Sequence, residues 1–125
     1  MANKFNARKI VIDGEVFDSK REYKRFLFLK HLENSGRISN LCRQVEYLLI
    51  PTQREPSTVT RTGKVKPGRV IERSCSYVAD FQYSQDGHTV VEDVKGYRGG
   101  GAYAVFTIKR KLMLERYHIR VLEVK

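Results

Sequence analysis

Apolar residues recur along this chain in two rhythms, every second position in some stretches and every three to four in others, and the switches between them mark out its elements. Residues 9–17 alternate around Asp13-Gly14, a two-residue turn signal. They predict a small hairpin that pairs Val11 with Val16 and Ile10 with Phe17. Asp18-Ser19 then stops the strand, and Ser19 with Glu22 forms a capping-box pattern that opens a helix. The helical spacing lasts to about Asn34, with Gly36 where a C-terminal cap belongs. On that helix Glu22, Phe26, Leu29 and Glu33 share one face, and Lys20, Lys24 and His31 the opposite one. Leu27, Phe28 and Leu32 fill the flanks, so much of the helix is expected to be buried.

Residues 43–50 read as a strand ended by Pro51. Two further strands, 75–84 and 88–95, flank the turn signal Asp86-Gly87. A glycine-rich connector at 96–101 leads into a second helix, 102–116, with Val105, Ile108 and Leu112 on its apolar stripe. Residues 117–124 make the last strand. A strand–helix–strand ending is long enough for a crossover back into the sheet. The fold class is therefore α/β: a mixed central sheet flanked by helices, with an N-terminal hairpin.

The stretch 51–73 belongs to neither rhythm. It carries Arg54, Arg61, Lys64, Lys66, Arg69 and Arg73 against only Glu55 and Glu72, and Gly63 and Pro67-Gly68 punctuate it. It reads as a basic flexible loop or hairpin outside the core. Residues 1–9 read as a basic arm. The whole, at 125 residues, suits one domain.

Charge narrows the class of partner. Lys and Arg number 24 against 14 Asp and Glu, a net charge of +10, for which nucleic acid is the default ligand. No apolar run approaches the roughly 20 residues of a spanning helix, and the first nine residues lack the apolar stretch of a secretory signal. Cys42 and Cys75 are isolated thiols without metal-ligand spacing, as in a reducing cytosol, and read as packing residues. His31, His88 and His118 are dispersed, which argues against zinc or histidine chemistry.

Candidate chemistry comes from pairing the two strands around Asp86-Gly87. If those two residues form the loop, Gln85 pairs with His88 and Asp80 falls opposite Asp93. Like charges directly opposed destabilise a sheet unless something positive lies between them. Lys95, two residues beyond Asp93, shares its face, while Glu92 points to the other side. Two acids and a lysine on one face suggest a metal-dependent phosphodiesterase centre. Taken singly, Asp80 reads as an edge acid in a cross-strand salt bridge with Lys95, and Glu22 as the third residue of a capping box. Yet Glu22 lies on the helix face shared with Phe26 and Leu29. Gln44, at the start of its strand, is a further candidate to contact the site.

Asp80 followed by Asp93-Val94-Lys95, with Glu22 on the first helix, resembles the motif of the PD-(D/E)XK nuclease superfamily. The contexts Tyr77-Val78-Ala79-Asp80-Phe81, residues 90–96 and residues 109–113 resemble small phage-encoded members related to Holliday-junction resolvases of the archaeal type. The resemblance covers most of residues 17–124 and least the basic stretch. Ala79 stands where the family usually has proline, a position that is not a ligand. The resemblance implies a restriction-endonuclease-like core and Mg²⁺, with Mn²⁺ able to substitute, held by Glu22, Asp80, Asp93 and the backbone carbonyl of Val94. Glu22, Asp80, Asp93 and Lys95 would be the catalytic set, Lys95 positioning or helping to deprotonate water or stabilising charge on the phosphate. It implies an endodeoxyribonuclease that cuts branched or four-way DNA as a homodimer, leaving a 5′-phosphate and a 3′-hydroxyl, in the cytoplasm of a phage-infected bacterium. Flaps, plain duplex or RNA are alternative substrates, and a non-catalytic nucleic-acid-binding module is the alternative class. Arg61, Lys64, Lys66, Arg69, Lys109 and Lys111 are the candidate DNA-binding residues, contacts that give affinity with little sequence information.

Overall fold

The computed structural model describes residues 9–125, so all of the expected basic arm except Lys9 lies outside the described residues. In chain order the elements are β1 (Ile10–Ile12), β2 (Glu15–Phe17), α1 (Lys20–Asn34), β3 (Ser39–Ile50), β4 (Gln53–Arg54), β5 (Thr58–Val59), β6 (Val65–Lys66), β7 (Val70–Glu72), β8 (Cys75–Gln85), β9 (His88–Val94), α2 (Gly100–Tyr117) and β10 (Leu122–Val124). Both Asp-Gly signals form the expected turns. Asp13 and Gly14 have φ of 50° and 81°, and Asp86 and Gly87 51° and 78°, the doubly left-handed turn that matches strand twist. The registers follow: Val11 faces Val16, Ile10 faces Phe17, and Gln85 faces His88.

The central sheet has four strands in the order β10-β9-β8-β3. β3, β8 and β9 are antiparallel, and β10 returns through α2 to lie parallel to β9. The sheet is mixed and the protein is of the mixed α/β class. Leu49, Tyr77, Ala79, Val91 and Val121 pack with Phe106 and Met113 of α2. Leu29 of α1 packs with Ile38, Phe81 and Tyr83. Val91 and Phe81 belong to neighbouring rungs of the β8–β9 ladder, so these two clusters occupy opposite faces of the sheet.

The caps of α1 are as its sequence dictates. The Ser19 hydroxyl accepts from the Glu22 N–H at 3.1 Å. The reciprocal bond is displaced by one residue, because the Glu22 carboxylate accepts from the Asp18 N–H at 3.0 Å. Gly36, at φ 80°, ends the helix by donating to the Glu33 carbonyl, and Arg37 donates to that of Leu32.

Expectations for the two helices and the last strand are corrected. Leu27 and Phe28 are 49% and 48% exposed, so α1 is buried mainly along the Glu22–Leu29 line, while Leu32 packs partly against the core as expected. On α2 the buried stripe runs through Tyr103, Phe106, Met113 and Tyr117, leaving Val105 and Ile108 exposed; Leu112 still packs partly against the core. The aromatic stripe carries more apolar area to bury, and its tyrosines still reach polar partners at the margin, Glu123 and the Leu48 carbonyl. The last strand is also shorter than expected, because α2 runs on to Tyr117 and His118 caps it in the left-handed conformation.

The basic stretch is ordered as two small ladders, β4 with β7 and β5 with β6. Its strands are exposed throughout. Gly68 permits a close crossing there: a Cβ at that position would lie 1.9 Å from the Glu55 carbonyl oxygen. Cys75 packs against the core as expected, whereas Cys42 is exposed.

Candidate active site

The sheet turns over at one rung. Tyr77 and Ala79 pack on the α2 side, yet Phe81 and Tyr83 of the same strand pack on the α1 side. Strict alternation would keep all four on one face. Across the ladder Arg43 faces Phe81 and Val45 faces Ala79, which leaves Gln44 opposite Asp80. Gln44 has φ of 52°, the left-handed region, in the middle of a strand. As a result two consecutive side chains, Arg43 and Gln44, both reach Glu22.

Glu22 is 2% exposed. The Gln44 amide donates to it at 2.9 Å, Arg43 lies 3.4 Å away, and the Asp18 N–H fills its second oxygen. The Arg43 guanidinium is itself stacked 3.7 Å over the Phe17 ring, which fixes it against the hairpin. Carboxylate oxygens of Glu22, Asp80 and Asp18 all lie within 4.8 Å of one another. Asp80 accepts from the Val94 N–H at 2.7 Å. Burial, then the charge of Asp93, pushes the Asp80 carboxyl up to about 7 from an ordinary 3.8. Burial also raises the Glu22 carboxyl, against the lowering effect of its bond from the Asp18 N–H.

Asp93 and Lys95 form the other half. The Lys95 ammonium sits 3.0 Å from Asp93 and 4.0 Å over the Phe106 ring, and the Tyr77 hydroxyl donates to Asp93 at 2.6 Å. Burial and then Asp93 raise the Tyr77 phenol well above the ordinary tyrosine range, so it stays a donor. Glu92 lies on the opposite face. Arg25 grips it with two bonds of 2.8 Å and the Tyr83 hydroxyl donates to it, which occupies that carboxylate structurally.

The sequence-derived residues are therefore joined in a modified way. Asp93 and Lys95 share the α2 face, but Asp80 sits at the turnover and joins Glu22 on the α1 side. The strict alternation behind the single-face expectation fails at the Gln44–Asp80 rung. Asp18 is the carboxylate that sequence reasoning passed over as a strand stop; its place immediately before the N-cap Ser19, one turn from Glu22, is the available signal. The candidate DNA contacts lie elsewhere. Arg61, Lys64, Lys66 and Arg69 are exposed in and beside the β4–β7 arm, and Lys109 and the exposed Lys111 are on α2. None of the six lines the large cleft beside α1.

Fold and site together define a mixed α/β protein with a half-buried carboxylate cluster beside a sheet lysine. More particularly, the chain belongs to the DUF1064 family, described as a protein of unknown function, whose profile matches residues 2–124. No curated protein and no solved structure matches it. Among the described residues no helix is long and apolar enough to cross a membrane.

Proposed function

We propose that this protein is a metal-dependent endonuclease of the PD-(D/E)XK type, acting on branched DNA, with a restriction-endonuclease-like core. The observation that carries the reading is the convergence of Glu22, Asp80 and Asp18 within 4.8 Å, next to the Asp93–Lys95 pair. Burial first, then the neighbouring charge of Asp93 and, less strongly, that of Glu22, raise the Asp80 carboxyl, so its ionised form would be favoured by a cation held between these acids. All the donors are hard oxygens, which fits Mg²⁺ or Mn²⁺. Asp80, Glu22 and Asp18 would hold the ion, with Asp93 and the Val94 carbonyl as the strand-borne partners named by the resemblance.

A bound divalent ion would supply charge neutralisation at the phosphate and a more acidic water. The protein's residues do the rest. Glu22 is fixed by Gln44, Arg43 and the Asp18 N–H, so it loses little freedom on engagement. Lys95, steered by Asp93 and Phe106, holds a positive charge beside the reacting phosphate and can orient water. Water oxygen bonds to phosphorus, the P–O3′ bond breaks, and the proton lost by water is balanced by the one gained by the 3′-oxygen. The products are a 5′-phosphate and a 3′-hydroxyl. A homodimer supplies the two symmetric cuts that a four-way junction requires.

The test is cleavage of a four-way junction, a flap and linear duplex in Mg²⁺, by wild type and by Asp80→Asn and Asp93→Asn. Paired symmetric nicks in the junction, lost in both variants, are expected. Indifferent digestion of all three substrates would retain the nuclease and remove the junction preference. Full cleavage by either variant would remove the mechanism.

A further inference from the structure

Beside the carboxylates lies a cleft of about 1710 Å³ whose lining is basic. Cations reach it from three separate stretches: Lys9 before β1, Lys20, Arg21 and Lys24 along the first half of α1, and Lys125 after β10. Arg25 and Lys95 also line it, but Glu92 and Asp93 already pair with them. Among the described residues, Lys20, Arg21, Lys24 and Lys125 have no ion-pair partner. Among the described residues Asp18 is the one acidic side chain in the lining, and it also belongs to the carboxylate cluster, so cleft and cluster adjoin.

These cations are misplaced for the stability of α1. The N-terminal end of a helix carries partial positive charge and favours acids, yet Lys20 and Arg21 occupy its first turn. Lys20 and Lys24, four apart, repel by a further few tenths of a kcal/mol. Cations held against both effects, without acidic partners, suit an anion that comes from outside. Arg21 also leans on the segment just past β9 that carries Lys95: its Nε would lie 3.2 Å from a Cβ at Gly96, so the bare glycine backbone makes room for the guanidinium. Farther along the same wall stands Phe28, 48% exposed, with the Arg25 guanidinium 5.0 Å from its ring centre. An exposed ring in a basic groove is the pattern of a base-stacking platform for unpaired strands. A duplex keeps its bases stacked inside and has no use for it.

We propose that this cleft binds an unpaired nucleic-acid strand, with Arg21 on the phosphate nearest the carboxylates, Lys20 and Lys24 on its neighbours, and Phe28 under a base. The assignment of a nucleic acid rests on the nuclease reading, and it places the strand on α1 rather than on the β4–β7 arm or α2.

The test is fluorescence anisotropy with a labelled short oligothymidylate and with its oligoadenylate duplex, in chelator so that nothing is cut, over a salt series. Circular dichroism checks each variant for folding. Arg21→Glu and Lys24→Glu should each weaken single-strand binding roughly tenfold and lower the salt slope by about 1. Phe28→Ala should weaken it by roughly tenfold with the slope unchanged, and leave duplex binding alone. Arg120→Glu, the same charge change at an exposed residue outside the cleft, should alter binding less than about twofold. Equal losses from Arg120→Glu and Arg21→Glu would overturn the cleft in favour of net charge alone, and so would wild-type binding by Arg21→Glu. The two readings fail separately. Selective loss at Arg21 with no cleavage of any substrate retains the cleft and removes the nuclease, and cleavage with no Arg21 effect does the reverse.

Discussion

Gln44 stands opposite Asp80 on the β3–β8 ladder, and the sheet exchanges faces at that rung. A left-handed glutamine inside a strand costs about 1–2 kcal/mol. What it gains is the amide bond to buried Glu22, placed on the same side as Asp80. The strain sits where the acids are gathered, as strain at functional sites tends to.

Gln44→Gly separates the two effects. Glycine relieves the left-handed backbone, while the lost bond to Glu22 costs about 1 kcal/mol. The melting temperature should change little, whereas cleavage should fall about tenfold because Glu22 loses an anchor. Thermal melts beside cleavage rates decide it; an unchanged rate would show that Glu22 does not need Gln44.

The Asp80 carboxyl predicts a pH-dependent stability with a definite sign. Its value is raised to about 7 from 3.8, so the folded protein keeps a proton that the unfolded chain releases over that interval. Stability without divalent ions must therefore fall as pH rises from about 4 to about 7, by at most about 4 kcal/mol, with Glu22 acting in the same direction. Asp80→Asn should flatten the dependence and raise the melting temperature at about pH 8. A flat wild-type curve across that range would contradict the burial of charge at this rung.

Asp18 gives a prediction specific to the folded site. Asp18→Asn removes one carboxylate from the cluster while sparing its backbone N–H, which holds Glu22. The Mg²⁺ concentration needed for half-maximal cleavage should rise severalfold with little change in melting temperature. An unaltered Mg²⁺ requirement would exclude Asp18 as a ligand.

Glu92 should behave oppositely to Asp93. Glu92→Gln leaves Arg25 without its charge partner and should destabilise by about 1–3 kcal/mol. Cleavage per folded molecule should persist, since Glu92 faces away from Lys95. Loss of cleavage with unchanged stability would reverse the roles of the two neighbouring acids.

Local chemistry made much of this protein legible in its sequence. Asp13-Gly14 and Asp86-Gly87 adopt the turn their residue types favour, and those turns set the strand registers, including the rung on which Glu92 points away from Lys95. Ser19 and Gly36 bound α1 because each satisfies backbone groups within a few residues of itself. The tertiary structure decided what depends on distant surfaces. Of two apolar stripes on α2 the sheet selected the aromatic one, since burial is won by area in contact and not by spacing alone. The period-two count that put Asp80, Asp93 and Lys95 on one face assumed a regular strand. At the rung where Gln44, 36 residues earlier in the chain, takes a left-handed backbone, that regularity fails, and Asp80 stands with Glu22 and Asp18 from the start of α1.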